Sequence, residues 1–452
     1  MAGAQLQRGE RFRGLLIQGV LGEGGMGVAY LASHPVLRTP LVVKTFKVQS
    51  EDDPFREAYL AARVRSAHVV GAIDAGVENG IAFVVQRYVD GIDMAELMAA
   101  RAALGMRLPP DLVCRIVAHA ALGLHAIHQA GVVHCDVKAE NLFIDGEGDG
   151  FVGDLGVAVD PTHRRDPSSV SGTPLFLAPE RWLGKPFDRR ADLYALGATL
   201  HTLLSGAPPF EAPDLIALRA AHLERPYEAP SVADPRGAYL FAVAERLLEK
   251  EPRDRYASAA EVARDLETIA TPRLRPVPVG EGTAQVGSIK LTLATGDLAN
   301  TAADVLVSAS NWQLTMHVGV AAALSKAAGP GLAEEAGAMA PRALGDVVWT
   351  GAHNLPARFV AHAVAAMAGA MCIQRCVLRA LLEADARGLT SAALPALGTG
   401  VGEVPLGLCA TEMLEAIATF AALEPRTLRD VRLVLFDAGA TQAFREALAL
   451  FG

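Results

Sequence analysis

The chain has 452 residues, of which 51% are hydrophobic and 20% are charged. The length is too great for one ordinary domain, and the composition excludes a disordered or fibrous protein. The formal net charge is −9 without a basic tail, so we expect no nucleic-acid partner.

Cysteine content and hydropathy bear on where the protein acts. Five cysteines are too few for a disulfide framework and fit a reducing compartment. Cys372 and Cys376 lie one helical turn apart in an apolar stretch, and we expect buried thiols there rather than a metal site. The N-terminus lacks a signal-peptide apolar core, and charged or polar residues interrupt the longest apolar runs. We therefore expect a cytoplasmic protein without a membrane span.

The pattern of residues predicts two domains. Short β-rich runs fill residues 11–90, and apolar residues recur with helical period from about 92 to 268. A Pro- and Gly-rich stretch, 271–283, predicts a linker. Strand-like runs then alternate with Ala-rich helical segments, which predicts a mainly parallel sheet covered by helices. These strand-like runs are 289–293, 305–308, 359–364, 391–394 and 431–436.

A glycine-rich segment lies near the start of the first domain. Gly22, Gly24 and Gly27 form a GxGxxG pattern, which alone also fits dinucleotide-binding folds and ordinary turns. Further on, Lys44 ends a β-like run where a dinucleotide fold would place an acidic residue. Glu57 follows in the helical stretch 55–64, and a strand lysine paired with a helix glutamate can hold phosphate oxygens. Without the other motifs, Lys44 and Glu57 would be interpreted as an exposed charged pair.

A second cluster places three kinds of polar group close together in the sequence. Asp136, Lys138 and Asn141 bring a carboxylate, a cation and an amide within one short segment, and Asp154 follows. Phosphoryl transfer needs an acceptor for the hydroxyl proton, positive charge at the phosphate and oxygen ligands for a metal. The segment therefore predicts phosphoryl-transfer chemistry.

Together with the segments 172–174 and 178–180, in this order, these motifs resemble the protein kinase superfamily, specifically bacterial Ser/Thr kinases of the eukaryotic type. The resemblance covers about residues 14–268. It implies an α+β bilobal kinase fold for residues 1–270, ATP and Mg²⁺ as cofactors, and protein substrates with Ser or Thr acceptors.

The resemblance also implies a role for each matching residue. Asp136 would be the catalytic base, Lys138 would stabilise the γ-phosphate, and Lys44, oriented by Glu57, would hold the α- and β-phosphates. The two metal ligands that it implies are Asn141 and Asp154. The ATP-binding residues that it implies are Leu21, Gly22, Gly24, Gly27, Ala29, Val42, Lys44, Gln86, Tyr88, Val89 and Phe143.

Two departures from the family pattern matter. Cys135 stands where the family has an arginine that pairs with a phosphate on the activation loop. We therefore predict a kinase that needs no activation-loop phosphate at Ser168, Ser169 or Ser171. Phe143 replaces the usual leucine of the pocket floor, and we expect a tighter adenine slot. The alternative is a pseudokinase that serves as a nucleotide-sensing scaffold, but the presence of every catalytic residue favours activity.

The second predicted domain also carries a phosphate-binding pattern. The turn 398–400, Gly-Thr-Gly, follows a predicted strand and can present backbone N–H groups to phosphate, although an ordinary turn fits it as well. Residues 284–452 resemble a macro domain, which implies a three-layer α/β fold and ADP-ribose or a related nucleotide as ligand. The ligand-binding residues that it implies are Asp297, Leu298, Asn311, Gly319, Val320, Gly398, Thr399, Gly400, Val401 and Phe436.

The departures in this half concern hydrolysis. His317 and Val318 replace two glycines of the family's triplet, and Ala321 stands where hydrolytic members often have an aspartate. We therefore expect a domain that binds ADP-ribose for regulation or targeting, and a kinase joined to an ADP-ribosyl hydrolase is the alternative.

Overall fold

The structure is a computed structural model that describes residues 6–23, 27–37, 39–46, 56–155, 158–159, 172–269, 271–365 and 370–451. The side chains of residues 56–58 are not among those described. By their internal contacts, the residues form two compact units. The first contains Met1–Val43, Asp145–Gly148 and Arg273–Gly452, and the second contains Lys44–Ile144 and Asp149–Pro272.

The first unit begins with an antiparallel sheet. Its strands pair in the order β1-β2-β3 and continue into the first half of β4. The strand bounds are β1 (Arg11–Phe12), β2 (Leu15–Glu23), β3 (Gly27–Ser33) and β4 (Pro40–Phe46). The predicted glycine loop is therefore the connection between two paired strands, β2 and β3.

The second unit combines strands with a helical core. Its strands β5 (Ala72–Glu78) and β6 (Ile81–Arg87) pair antiparallel, and β7 (Gly91–Asp93), β8 (Leu142–Asp145) and β9 (Gly150–Val152) form a small sheet. Its helices are α1 (Arg56–Ala62), α2 (Met94–Ala102), α3 (Pro110–Gln129), α4 (Pro179–Trp182), α5 (Arg190–Ser205), α6 (Leu215–Glu224), α7 (Pro235–Leu247) and α8 (Ala259–Glu267).

The helices of this unit begin and end where the sequence supplies caps. Asp93, Asp214, Asp234 and Ser258 each accept a hydrogen bond from a backbone N–H of the first turn that follows. Helix α5 ends at Gly206, whose φ of 79° is the left-handed conformation that glycine adopts without strain. Nearly all of α5 is buried, so it forms the centre of the helical core.

The remainder of the first unit is an eight-stranded sheet in the order β10-β11-β12-β17-β16-β13-β15-β14. Neighbours from β12 to β15 run parallel, as the alternating pattern predicts, and the outer strands are antiparallel. The strands are β10 (Val277–Gly280), β11 (Thr283–Val286), β12 (Ile289–Thr295), β13 (Val305–Ser310), β14 (Val347–Gly351), β15 (Phe359–Val364), β16 (Ser391–Leu394) and β17 (Asp430–Leu435). Strand β10 lies within the stretch that the sequence predicts as a linker.

Helices separate the parallel strands along the chain. They are α9 (Gly319–Ala328), α10 (Pro330–Gly337), α11 (Ile373–Ala386), α12 (Leu406–Ala422) and α13 (Ala438–Phe451). The central strands are buried along nearly their whole length, as expected for a parallel sheet with covered faces. Cys372 and Cys376 are fully buried, as the sequence predicts.

The turn Asp145–Gly148 packs within this same unit. The Gly146 N–H donates to Oε1 of Gln374 at 2.9 Å, and the Thr419 hydroxyl donates to the Gly146 carbonyl at 2.5 Å. A Cβ added at Gly146 would lie 2.6 Å from Cδ of Gln374. Both backbone groups of Gly146 are therefore satisfied by side chains of α11 and α12.

One helix among the described residues, α3, has the length and apolar composition of a membrane span, and most of it is buried within the fold.

Candidate active site

The residues of the predicted catalytic segment form one hydrogen-bonded network in the second unit. Asp136 Oδ1 accepts hydrogen bonds from the Thr173 hydroxyl at 2.8 Å and from the Thr173 N–H at 2.9 Å. Lys138 Nζ lies 3.0 Å from Asp136 Oδ2 and donates to Thr173 Oγ1 at 2.8 Å. The carboxylate thus holds both a hydroxyl group and an ammonium group.

The protonation of Asp136 follows from these contacts. Burial raises the pKa of this carboxyl, but the hydrogen bonds from Lys138 and Thr173 outweigh it and hold the pKa below its usual range. Asp136 is therefore ionised at neutral pH and can accept a hydrogen bond from a substrate hydroxyl.

A fully buried carboxylate, Asp192, holds the backbone that leads into Asp136. Its two oxygens accept the backbone N–H groups of His134 and Cys135, each at 2.8 Å, and Oδ2 also lies 2.8 Å from His128 Nε2. Cys135 has a φ of 70°, a left-handed conformation that costs a non-glycine residue about 1–2 kcal/mol. The Asp192 hydrogen bonds hold this strained residue in place.

His134, which the sequence analysis left without a role, connects the catalytic loop to Asp154. Its Nδ1 is 3.2 Å from the backbone N of Asp136, which can only donate, so Nδ1 is the acceptor. Nε2 therefore carries the proton and donates to the Gly153 carbonyl at 2.9 Å. The Gly153 N–H donates to the Asn141 carbonyl at 2.9 Å. Gly153 is thus fixed from both sides, which sets the position of Asp154 relative to Asn141.

Phe143 packs against the same glycine. A Cβ added at Gly153 would lie 2.7 Å from Cε2 of Phe143, so the larger residue at 143 requires glycine at 153. Neither residue type alone would have indicated this pairing.

The predicted metal ligands have the right chemistry for Mg²⁺. The Asn141 amide nitrogen donates to the Asp136 carbonyl and to Asp136 Oδ2, which points its amide oxygen away from them. Asp154 adds a half-exposed carboxylate, and Lys44 Nζ lies 3.5 Å from it. Mg²⁺ is commonly held by one or two protein oxygens together with substrate phosphates.

The remaining predicted ATP-binding residues lie in two places. In the first unit, Gly22 and Ala29 are cross-strand partners of β2 and β3, and Leu21, Gly27 and Val42 lie on β2, β3 and β4. In the second unit, Gln86 and Tyr88 are buried at the end of β6, and Val89 is half-buried. Gly24 and the three activation-loop serines are outside the described residues, as is the side chain of Glu57, which lies on α1.

Arg181 is a second residue that the sequence analysis missed. It follows the Ala178–Glu180 segment, and its Nη1 donates to the Cys135 carbonyl at 2.8 Å. Its guanidinium also lies over the Phe187 ring, 5.1 Å from the centroid. The segment beyond the activation loop is therefore bonded to the main chain at Cys135, where the family arginine is absent.

The predicted nucleotide-binding residues of the first unit lie at the carboxyl edge of its parallel sheet. Thr295 of β12 and Leu435 of β17 are paired, so Asp297 and Phe436 leave the sheet from neighbouring strand ends. Phe436 is 89% exposed. The turn 398–401 follows β16, the next strand, with Gly398 at a φ of 76°. Open sheets of this kind bind ligands outside the carboxyl ends of their strands.

Two of these residues use their side chains locally. Asn311 Oδ1 accepts the backbone N–H groups of Gln313 and Thr315, and its amide donates to Thr315 Oγ1. Asp297 accepts the Ala299 N–H and caps a short 3₁₀ turn in which Leu298 is buried. Gly319, with a φ of 60°, and Val320 begin α9. A Cβ at Gly319 would meet nothing within 4 Å, which leaves open space beside the helix start.

The Asp136 network holds a carboxylate, an ammonium group and a hydroxyl within hydrogen-bonding distance of one another, which are kinds of group that phosphoryl transfer requires. The family model described as the protein kinase domain matches residues 16–265, more than half of the chain. The chain belongs to the protein kinase family. The macro domain model matches residues 307–413, so a kinase fold is followed by an α/β macro domain.

Similar proteins include bacterial serine/threonine kinases. Serine/threonine-protein kinase PknH of Mycobacterium tuberculosis is 36% identical over 273 residues, which is 58% of this chain and 43% of PknH. PknE of the same species is 31% identical over 269 residues, 58% of this chain and 47% of PknE. The chain thus spans less than half the length of these relatives. The solved PknI kinase domain of M. tuberculosis is 30% identical, with a TM-score of 0.44, and the match covers 59% of this chain and 99% of that one. The family match, together with the similarity to PknH and PknE, shows a protein kinase domain in this chain.

Proposed function

We propose that the protein transfers the terminal phosphoryl group of ATP to serine or threonine hydroxyls of protein substrates. The observation that carries the proposal is the Asp136 network. An ionised carboxylate accepts a hydroxyl at 2.8 Å, and an ammonium group lies 3.0 Å from its other oxygen. A base and a cation in contact are what a hydroxyl nucleophile and a transferring phosphate require.

In the proposed reaction, the acceptor oxygen forms a bond to the γ-phosphorus, and the bond between this phosphorus and the bridging oxygen breaks, which releases ADP. The acceptor proton passes to Asp136, and Lys138 offsets the negative charge of the phosphoryl oxygens. Asn141 and Asp154 would hold Mg²⁺, which neutralises phosphate charge when bound. Lys44 would hold the α- and β-phosphates. We assign this activity to residues 1–270 and place it in the cytoplasm.

The test is phosphate transfer from radiolabelled ATP to a Ser/Thr peptide library by the full chain. Asp136→Asn keeps the size of the side chain but removes the base, and we expect kcat to fall about 10²- to 10⁴-fold. Asp214→Asn, the same chemical change at a helix cap, should leave kcat unchanged because asparagine caps equally well. A wild-type protein that transfers no phosphate would refute the proposal and favour the nucleotide-sensing scaffold.

We infer that residues 284–452, after the segment 271–283, bind ADP-ribose or a related nucleotide. Phe436 supports this inference because a ring that is 89% exposed at a strand end is suited to stacking on an adenine base. Calorimetry of ADP-ribose with the full chain tests it. Phe436→Ala should weaken binding about tenfold, whereas Leu450→Ala, which removes a side chain that is 84% exposed on α13, should not.

Three roles are candidates for the ligand of this domain: it regulates the kinase, it targets the kinase to ADP-ribosylated proteins, or it is hydrolysed. If the ligand is regulatory, free ADP-ribose should change kcat on a peptide substrate. If the domain only targets the kinase, free ADP-ribose should leave peptide phosphorylation unchanged. Because Ala321 replaces the aspartate of hydrolytic macro domains, we expect no release of free ADP-ribose from ADP-ribosylated protein.

A further inference from the structure

A cavity of about 380 Å³ lies beside the catalytic network in the second unit. Thr173, whose hydroxyl bonds to Asp136, lines it, and so does Glu140, two residues after Lys138. The cavity therefore shares a lining residue, Thr173, with the Asp136 network. Its volume falls within the range of about 300–1,000 Å³ that is typical of ligand sites.

The lining of this cavity is mostly apolar. Helix α2 contributes Met98, and other elements contribute Met106, Leu175, Phe176 and Leu203. Met98 and Leu175 are half-buried, and Ala102 of α2 is exposed, so this side of the cavity is open to solvent. Partly exposed apolar side chains around an opening favour an apolar occupant.

The charged groups at this cavity oppose one another. The side chain of Glu140 is exposed, and so is that of Arg107. Arg101 is buried, and its guanidinium donates to the Arg107 carbonyl. The two exposed charges, Glu140 and Arg107, are opposite in sign, and the third charged group, Arg101, is buried. Recognition here therefore depends on apolar contact.

We propose that this cavity holds a large apolar side chain, such as Leu, Met or Phe, of the substrate segment that carries the Ser or Thr acceptor. The inference rests on the proposed kinase function and adds a substrate class to it. Because the cavity begins at Thr173, the apolar side chain lies within a few residues of the acceptor.

The experiment uses the full chain and a peptide library in which each position around a fixed serine is varied. We expect Leu, Met or Phe to raise kcat/KM about 10- to 100-fold over alanine at one position, since this is the usual selectivity of an apolar pocket. At that position, Asp and Lys should both be disfavoured.

Charge substitutions at Met98 test whether the cavity causes the apolar preference. Met98→Leu should keep the apolar preference, whereas Met98→Glu should shift it to lysine and Met98→Lys should shift it to aspartate at the same position. A fluorescence melting curve for each variant establishes that it is folded. The shifted preference is a change in selectivity, which general destabilisation would not produce.

The outcomes separate the two proposals. Efficient phosphorylation with no apolar preference at any position, or a preference that the Met98 variants do not change, overturns this inference and leaves the kinase function standing. The absence of phosphate transfer to every peptide overturns both.

Discussion

Replacement of Asp192 by asparagine should both destabilise the protein and slow phosphoryl transfer. The Asp192 carboxylate is fully buried and accepts the backbone N–H groups of His134 and Cys135, one on each oxygen. Asparagine has the same shape but only one oxygen. Whichever way the amide is turned, one backbone N–H then faces an NH₂ group, which cannot accept it.

The magnitude follows from these contacts. A buried donor that loses its acceptor costs about 1–3 kcal/mol, and the remaining hydrogen bond loses its charge assistance, which adds about 1 kcal/mol. We therefore expect a loss of about 2–4 kcal/mol in the free energy of unfolding. In the orientation in which the NH₂ group faces Cys135, this residue is also released from its left-handed conformation, which moves Asp136. A displacement of about 1 Å at a catalytic group can lower kcat about 100-fold.

Urea unfolding gives the stability, and transfer of radiolabelled phosphate to a peptide gives kcat. The control is Asp214→Asn, an identical chemical change at the N-cap of α6, where asparagine still accepts the Ala217 N–H. An Asp192→Asn protein that unfolds within about 0.5 kcal/mol of the wild type would refute the argument from the orphaned donor.

Three further predictions follow from single contacts. Simultaneous alanine substitution of the three activation-loop serines should leave kcat within about tenfold of the wild-type value, because Cys135 offers no guanidinium to a phosphate. Steady-state kinetics measures kcat, and a larger loss would contradict the prediction. These serines are Ser168, Ser169 and Ser171. Burial lowers the pKa of His362 to about 4, so below about pH 6.5 the unfolded chain gains a proton that the folded one excludes. Urea titrations should therefore show stability falling between about pH 6.5 and 4, and His362→Gln should reduce the slope. Gln374→Ala removes the acceptor of the Gly146 N–H, at a cost of about 1–3 kcal/mol. The clash created by Gly146→Ala should be only partly relieved in that background, because Cδ and Cγ of residue 374 are removed but its Cβ, 2.7 Å from the added Cβ, remains; a double-mutant cycle of unfolding energies measures the coupling.

Much of the architecture was predictable from local patterns. The strand-like runs 359–364 and 391–394 are β15 and β16 with the same bounds, and the helical stretch 55–64 contains α1. These central strands are recognisable because a parallel sheet buries both faces and selects continuous apolar runs. Strand β10, by contrast, is exposed throughout. An edge strand needs only a neighbour for its backbone, and its sequence carries no such signal.

The candidate sites, too, were only partly predictable from the sequence. The motifs predict site roles for Asp136 and Lys138, but not the hydrogen bonds of His134 or Arg181, since both side chains bond to carbonyl groups of residues distant in the sequence. Asn311 matches a ligand-binding position by its place after β13, yet its side chain closes a local turn. Whether it also reaches a ligand remains a prediction.

The order and spacing of the motifs determined the family, because each reacting group must be of a particular chemical type and the chain connects them in a fixed order. Only the tertiary structure decided how strongly each group is held. The kinase resemblance implies that Asp192 braces the segment before Asp136, and the structure adds that its carboxylate is fully buried and accepts one backbone N–H on each oxygen. Likewise, the cavity beside Thr173 is lined by residues from several separate elements. Such features depend on which distant segments pack together, and no local pattern records that.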